Sequence, residues 1–445
     1  MRMLRAIGIM AVRGAILHFP GSPAQHGAFK YFDDGLLIVR DGLVAECGPA
    51  VELGARLPAD VTVTDYRGKL ILPGFVDTHT HYPQTDIIAS RGENLLAWLE
   101  DHAFPAEARF ANPVHARDVA EFFCDELLRN GTTTALAYAT VHAASVDALF
   151  TAAQQRGMCL ITGKVLMDRD CPQALRESAE AGDTASRALI ARWHGRDRLS
   201  YAVTPRFALT STAAQMTRAG VLFADHPGLY LQSHLAENRA EVAQVRKLHP
   251  AARSYLDVYD GYRQLGPRAV FAHCIWLDDN DRRRIAATGT AMSFCPTSNL
   301  FLGSGLFDLA RADAHGVRVG IGTDVGAGTS FSMLRTLGEA YKVLQLQGQT
   351  LAPERAFHLA TLGGAQSLYL DDRIGNFDPG KAADFVVLDP HATPLLARRM
   401  AGAATVSERL FVFMTLGDDR AIAATHIMGE CAWRRGEASR TAVRA

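Results

Sequence analysis

Residues 70–84 read LILPGFVDTHTHYPQ: an apolar run, a turn at Pro73-Gly74, and then two histidines two positions apart. Successive side chains of a β-strand point to opposite faces, so His79 and His81 leave a strand on the same face, where both imidazoles can reach one metal ion. An isolated His-x-His at a strand end is also a common arrangement of polar residues that bind nothing. The interpretation as a metal site therefore depends on matching ligands at the ends of other apolar runs.

Apolar runs alternate with segments of helical spacing from this stretch onward. The runs are 70–79, 132–140, 159–167, 199–207, 228–235, 269–276, 290–295 and 317–324. Helical segments such as 113–130 and 143–156 lie between them, and each of these two ends at a glycine. This alternation predicts an α/β fold, a (β/α)8 TIM-like barrel, with a doubly wound sheet as the alternative. Polar residues at the C-terminal ends of the runs favour the barrel, because barrel enzymes build their sites there.

Both ends of the chain carry patterns of short strands instead. Residues 35–40 and 43–47 flank Asp41-Gly42, which predicts a hairpin with a two-residue turn. Residues 374–388 and 421–433 show similar strand patterns. We expect a second, composite β-sandwich domain formed by residues 1–69 and 373–445, with residues 70–372 forming the barrel.

Composition excludes several classes of partner. The 445 residues carry a formal net charge of −1, which gives no electrostatic footprint for nucleic acid or an anionic membrane surface. No run of about 18 uncharged apolar residues occurs, and Arg13 interrupts the N-terminal apolar stretch. The seven cysteines are scattered without a Cys-x-x-Cys motif. We expect a soluble, cytoplasmic protein that binds a small molecule, with no nucleic-acid or membrane partner.

Polar side chains end four further runs. They are Arg206 with its neighbour Phe207, His234, His273 and Asp324. Because the strand ends of a barrel share one mouth, a single metal ion there would have within reach His79, His81, His234 and Asp324. Imidazole nitrogen and carboxylate oxygen are usual ligands of Zn²⁺, and iron or another divalent metal tolerates the same set.

Each of these residues also has an ordinary structural explanation. A single histidine such as His273 in an apolar run is commonly a hydrogen-bonded core residue. Asp324 could instead cap a helix that begins near Ser330. Arg206 alone would commonly be a surface charge. The metal-site hypothesis rests on all of them occurring together at the ends of separate runs.

The same residues carry a resemblance to a known family. The motifs PGFVDTHTH (73–81), SHLAE (233–237), FAHC (271–274) and GTD (322–324) resemble the amidohydrolase superfamily, in its one-metal aminohydrolase branch. The motifs HYPQ (81–84), TPRF (204–207), CPTSN (295–299) and GTDVGAG (322–328) are similar to those of members that deaminate guanine. The likeness extends over nearly the whole chain.

This resemblance implies a homodimeric enzyme with one bound zinc that hydrolyses guanine to xanthine and ammonia, a step of purine catabolism. It implies that the metal ligands are His79, His81, His234 and Asp324. It further implies that Glu237 transfers protons, that His273 positions water or substrate, and that Asp324 also takes part in catalysis. The residues implied to contact the purine are His81, Gln84, Arg206, Phe207, His234, Glu237 and Asp324.

Three further points remain open at this stage. Two-metal members of the superfamily use a modified lysine, and Lys164 lies inside the third run rather than at its end, which favours one metal. The segment 97–105 follows the first metal motif and is expected to form part of a lid. The alternatives are an aminohydrolase acting on a pyrimidine, triazine or modified purine, and a non-catalytic assembly protein built on the same barrel.

Overall fold

The computed structural model describes residues 8–21 and 29–437. Their strands, in chain order, are β1 Ile9–His18, β2 Lys30–Arg40, β3 Leu43–Pro49, β4 Val63–Pro73, β5 Phe75–His81, β6 Thr132–Tyr138, β7 Cys159–Gly163, β8 Val165–Leu166, β9 Leu199–Pro205, β10 Tyr230–Leu235, β11 Ala269–His273, β12 Ala291–Phe294, β13 Arg318–Ile321, β14 Phe385–Leu388, β15 Ile422–Ile427 and β16 Glu430–Arg434. Their α-helices are α1 Ala50–Gly54, α2 Leu95–Trp98, α3 Phe104–Ala108, α4 Pro113–Arg129, α5 Ala143–Arg156, α6 Ala179–Trp193, α7 Ala213–Asp225, α8 Arg239–Leu248, α9 Tyr255–Gly261, α10 Asp279–Thr288, α11 Pro296–Phe301, α12 Leu309–Ala314, α13 Met333–Gln345, α14 Pro353–Leu359, α15 Leu362–Ser367, α16 Pro394–Ala401 and α17 Val406–Leu416.

The predicted barrel is confirmed. Its parallel strands follow the order β5-β6-β7-β9-β10-β11-β12-β13, and the short β8 pairs with β9. Backbone hydrogen bonds join the two ends of this order: the Asp324 amide donates to the His79 carbonyl at 2.9 Å, and the His81 amide donates to the Val325 carbonyl at 2.8 Å. A Cβ added to Gly320 would lie 2.4 Å from Thr78 Cγ2, so glycine is required there for β13 to approach β5. The barrel closes next to the two histidines of β5.

The ends of the barrel helices follow local sequence signals. Helix α4 begins after Asn112, whose side-chain oxygen accepts the amide hydrogen of Val114 at 2.9 Å. Helix α5 ends at Gly157, which has the left-handed conformation with φ 68°. No helix in the described residues combines the length and apolar character that crossing a membrane requires.

The predicted composite β domain is also confirmed, and its described strands form one mixed sheet in the order β16-β15-β14-β4-β1-β2-β3. The hairpin at Asp41-Gly42 is present, with Arg40 opposite Leu43 in antiparallel pairing. Residues 70–73 belong to β4 and pair with β14, and β5 begins only after Gly74. The division into segments at 69/70 and 372/373 stays a prediction.

The C-terminal segment holds two helices that the strand pattern did not predict. Helices α16 and α17 lie between β14 and β15 in the chain, and α17 packs on α13. The Tyr341 and Phe411 rings meet there with centroids 5.1 Å apart. The apolar side chains of α17 thereby extend the barrel core rather than a separate one.

A buried ion pair connects the barrel to the composite sheet. Arg198, beside β9, makes a bidentate contact with Asp384, beside β14, and also donates to the Gly157 carbonyl at 3.0 Å. The Asp384 carboxylate also accepts the Met428 amide at 3.0 Å and is 4% exposed.

We expect Asp384→Ala to destabilise the protein by about 3–5 kcal/mol, because it leaves the Arg198 guanidinium buried without its counter-charge. The measurement is the urea midpoint of unfolding. The control is Asp65→Ala, which removes one partner of the exposed Arg67–Asp65 pair and should barely shift the midpoint. Equal midpoints for the two variants would contradict a stabilising role of the buried pair.

Candidate metal centre and active site

Two histidines at the end of β5 begin the site. His79 and His81 are each 2% exposed, and their Nε2 atoms are 3.2 Å apart. Both side chains therefore point to the same interior face, as their spacing predicted. The Tyr138 ring, at the end of β6, stacks on His81 with centroids 4.4 Å apart and limits its rotation.

His234 at the end of β10 adds a third nitrogen. Its Nε2 lies 3.2 Å from His81 Nε2. Its Nδ1 donates to the Arg206 carbonyl oxygen at 2.7 Å, which leaves the Nε2 lone pair free in the neutral imidazole. This hydrogen bond fixes the tautomer that a metal ligand needs.

Asp324 completes the cluster from the loop after β13. Its Oδ1 is 3.3 Å from His79 Nε2 and 3.4 Å from His81 Nε2. Its backbone has φ 52°, an uncommon conformation for a residue other than glycine and one that clusters at functional sites. Asp324 does not cap a helix, because α13 is capped by the Ser332 side chain. The ordinary structural explanation for this residue is therefore wrong.

Four of the distances between these groups match those around a single ion. Four ligands about 2.0–2.1 Å from a tetrahedral Zn²⁺ are separated by about 3.3–3.4 Å. His81 Nε2 lies 3.2 Å from the Nε2 atoms of His79 and His234, and Asp324 Oδ1 lies 3.3 and 3.4 Å from those of His79 and His81. Burial lowers the pKa of His79 to about 3 and that of His81 and His234 well below the usual value, so the imidazoles are neutral and able to coordinate. Burial raises the pKa of Asp324, whose charged form a neighbouring cation would stabilise.

A proton-transfer pair lies beside the cluster. Glu237, two residues after β10, has its Oε2 3.3 Å from the Nε2 of His273, and its Oε1 accepts a hydrogen bond from the Ser304 hydroxyl at 2.9 Å. Burial, with the neighbouring Asp324 carboxylate, raises the pKa of Glu237 well above the usual value. A carboxyl group of this kind can both accept and return a proton near neutral pH.

His273 is held in a defined orientation. The Asn299 amide donates to its Nδ1 at 2.9 Å, so the ring proton is on Nε2, facing Glu237 and, at 3.8 Å, Asp324 Oδ2. Burial lowers the pKa of His273 well below the usual value, so it acts as a neutral donor. Asn299 belongs to the motif CPTSN, but sequence reasoning gave it no role.

Asp77 forms hydrogen bonds that hold the backbone next to the cluster in place. This buried carboxyl accepts hydrogen bonds from the Thr323 amide at 3.1 Å, from the Thr323 hydroxyl, and from the His79 amide at 3.2 Å. Burial raises its pKa to about 7, although these hydrogen bonds oppose the rise. Asp77 thus connects the backbone of the proposed ligand His79 to Thr323, which precedes the proposed ligand Asp324.

A cleft opens from the cluster. Its non-atom space is about 390 Å³, including the open mouth. The predicted contact residues Gln84, Arg206 and Phe207 line it, together with the apolar side chains of Leu95, Trp98 and Leu99. The predicted lid segment therefore lies against the cleft, as α2, a π-helical turn at Leu99–Ala103, and α3.

Sequence reasoning missed the buried acid that faces Gln84 and Arg206. Glu107 in α3 is 1% exposed and contacts both side chains. Its segment, FPAEA, reads like any half-exposed helical turn. The signal that could have found it is the need of a buried arginine for a counter-charge.

Lys164 is positioned differently from the expectation. The third run is interrupted, and Lys164 directly follows β7 rather than lying within one continuous strand. Its ammonium group pairs with the Glu177 carboxylate. This pairing agrees with a site for one metal.

Every residue that the sequence singled out for the site is thus brought to one end of the barrel. Among the residues that the structure describes, two sets of side chains have ligand atoms close enough to share an ion: His79, His81 and His234, and His79, His273 and Asp324. The individual roles of these residues stay predictions.

Residues 70–431 match the sequence model of the amidohydrolase family. The chain belongs to this family. This amidohydrolase is 51% identical to the guanine deaminase of Escherichia coli (strain K12) over 431 residues, which cover 96% of this chain and 98% of that protein. A solved structure of E. coli guanine deaminase superposes with a TM-score of 0.94 at 49% identity, covering 96% of this chain and all of the other.

A more distant structure carries a ligand. The guanine deaminase from C. acetobutylicum, with guanine bound in its active site, matches with a TM-score of 0.87 at 28% identity, covering 95% of this amidohydrolase and all of that chain.

Proposed function

We propose that this amidohydrolase deaminates guanine hydrolytically, giving xanthine and ammonia. The observation that carries the proposal is the joint presence, at one barrel mouth, of the metal-binding cluster and the Gln84–Arg206–Phe207 wall. The 51% identity to a guanine deaminase over nearly the full chain supports the same substrate.

The reaction replaces the amino group at C2 of guanine by an oxygen atom from water. A C–O bond forms at C2 of guanine, the bond from C2 to the exocyclic amine breaks, and ammonia leaves. His79, His81, His234 and Asp324 would hold a divalent ion, which would supply Lewis acidity and lower the pKa of water to about 7.

Glu237 moves the protons. Its raised pKa and its position 3.3 Å from His273 Nε2 suit a group that takes a proton from the attacking water. It passes this proton to the ring nitrogen next to C2. It then takes the second proton from the new hydroxyl on C2 and gives it to the departing amine, so that C2 becomes a carbonyl carbon and ammonia leaves. Ser304 holds the other carboxyl oxygen, which keeps Oε2 directed at the reacting centre.

His273 and Asp324 orient the attacking water. Asp324 offers a carboxyl oxygen as acceptor, and His273 offers its Nε2 proton as donor. Together they fix the direction from which the oxygen approaches C2.

The purine is recognised at the other side of the cleft. Arg206 donates and cannot accept, so it suits the oxygen at C6 and disfavours adenine, whose amino group would face a donor. Phe207 packs on the ring, and Gln84 matches an edge that both donates and accepts.

We expect Arg206→Ala to raise KM for guanine by about 10- to 100-fold, since it removes a buried donor to O6. Metal content, measured by mass spectrometry, should stay at the wild-type value. Arg192→Ala, which removes an arginine of the outer helices paired with Asp147, is the control and should leave KM unchanged. A wild-type KM in Arg206→Ala would contradict this assignment.

The proposed function is tested by adding guanine to the metal-loaded enzyme and recording the ultraviolet spectrum. We expect conversion of the guanine spectrum to that of xanthine with one ammonia released per molecule. Conversion of a pyrimidine or triazine with no action on guanine would favour a different aminohydrolase. No turnover of any of these would favour a non-catalytic assembly protein.

Zinc is our proposal for the metal because the three histidines that could share an ion lie beside the Asp324 carboxylate, and nitrogen and carboxylate oxygen are usual zinc ligands; iron can occupy such a set too. The homodimer and the cytoplasmic location stay predictions. Elemental analysis, light scattering and cell fractionation measure these three properties separately.

A further inference from the structure

One buried carboxylate joins two walls of the cleft. Glu107 Oε1 accepts a hydrogen bond from Gln84 Nε2 at 3.0 Å, and Oε2 accepts one from Arg206 Nη1 at 2.5 Å. Gln84 follows β5 and Arg206 follows β9, so two distant parts of the barrel mouth meet at this single side chain. Glu107 is absent from the cleft lining, which includes both of its partners.

Glu107 fixes the orientation of the Gln84 amide. A carboxylate only accepts, so the NH2 group of Gln84 must face it. The amide oxygen then accepts the Gly326 backbone N–H at 3.3 Å. These two bonds leave Gln84, which lines the cleft, with one remaining N–H and one remaining lone pair in a set order.

Glu107 also fixes the guanidinium of Arg206. The two side chains are 1% and 3% exposed, so their charges face each other with little water. The Phe104 ring, on the same short helix as Glu107, lies 5.2 Å from Arg206 Cζ. One guanidinium nitrogen is held by Glu107, which sets the direction in which the remaining N–H groups point.

We infer that Glu107 is a specificity-determining positioning residue: it holds Arg206 and Gln84 so that the cleft presents a fixed order of donors and acceptors to the purine edge. Glu107 acts through these two residues and does not contact the substrate. The inference rests on the proposed function, because it concerns how that site distinguishes purines.

The informative variant is Glu107→Gln, which keeps the shape of the side chain and removes its charge. A neutral amide can donate as well as accept, so Gln84 can rotate by half a turn and Arg206 loses its charged partner. We expect KM for guanine to rise about 10- to 100-fold, while kcat changes less than about threefold because the metal ligands and Glu237 are untouched.

Selectivity is the second readout. The probe is 2,6-diaminopurine, which has an amino group at C6 in place of the oxygen and the same amino group at C2. We expect the ratio of kcat/KM for guanine to that for 2,6-diaminopurine to fall by about tenfold or more in Glu107→Gln. Glu107→Asp, which retains the charge, should lie closer to the wild-type KM than Glu107→Gln.

The matched control is Glu177→Gln. Glu177 is another carboxylate paired with a buried cation, Lys164, and it does not line the cleft. Its KM and its selectivity ratio should equal the wild-type values, whatever its stability. Metal content is measured in every variant.

Two results would overturn the inference: Glu107→Gln with wild-type KM and selectivity, or Glu107→Gln with kcat lost in proportion to its metal, which would mean a structural role. Either result can be interpreted only if the wild-type enzyme converts guanine in the same assay. If it does not, the proposed function fails and the role of Glu107 fails with it.

Discussion

Replacing His81 with alanine is expected to lower guanine turnover by about 10⁴-fold or more. His81 Nε2 lies within 3.4 Å of ligand atoms of His79, His234 and Asp324, so the substitution removes the ligand that is close to all three others. Without a bound ion the pKa of water rises far above about 7, so hydroxide becomes scarce at neutral pH. Elemental analysis should show the metal lost together with the activity.

His142→Ala is the matched control for this prediction. His142 follows the neighbouring strand β6, but it is not among the groups that could share an ion. This variant should keep both metal and turnover. A His81→Ala enzyme that retains its metal and most of its activity would show that the ion, if any, lies elsewhere.

Replacing Glu237 with glutamine is expected to lower kcat by about 10²- to 10⁴-fold. The amide keeps the shape of the side chain and its contact with Ser304, but it cannot take a proton from water or return one to the amine. Because Glu237 is not one of the four proposed ligands, the metal content should equal that of the wild type.

Guanine binding provides the control for this variant. Glu237→Gln should still bind guanine with an affinity near the wild-type KM, measured by calorimetry, since Arg206 and Gln84 are unchanged. Loss of the metal in Glu237→Gln would mean that this carboxylate is a ligand rather than a proton carrier.

Most of the barrel could be predicted from the sequence. Its strands are buried on both faces, and such strands appear in the sequence as continuous apolar runs. Each of the eight runs contains a strand of the barrel, and the polar residue that ends a run points to the mouth. His234, His273 and Asp324 were therefore recognisable as a set from their positions at the ends of separate runs, since the parallel strands of a barrel end on one side. Closure of the barrel between β5 and β13 brings Asp324 to 3.3 Å from His79 and 3.8 Å from His273.

The parts that could not be predicted depend on packing between connections. Glu107 and Ser304 lie outside the strands, where no periodic pattern shows which side chain turns inward. Asn299, in the first turns of α11, reads as an ordinary polar helical residue until His273 is placed beside it. Helix α17 was missed because its apolar residues face α13 and α14, a contact that only the folded chain defines.

The claim that four side chains share one divalent cation is tested most directly by titrating the metal-free enzyme with Co²⁺ and recording its visible absorbance. We predict that the absorbance of tetrahedral cobalt rises linearly, breaks at one equivalent per chain, and is absent in His81→Ala. A break at two equivalents, or the same spectrum in His81→Ala, would contradict the account.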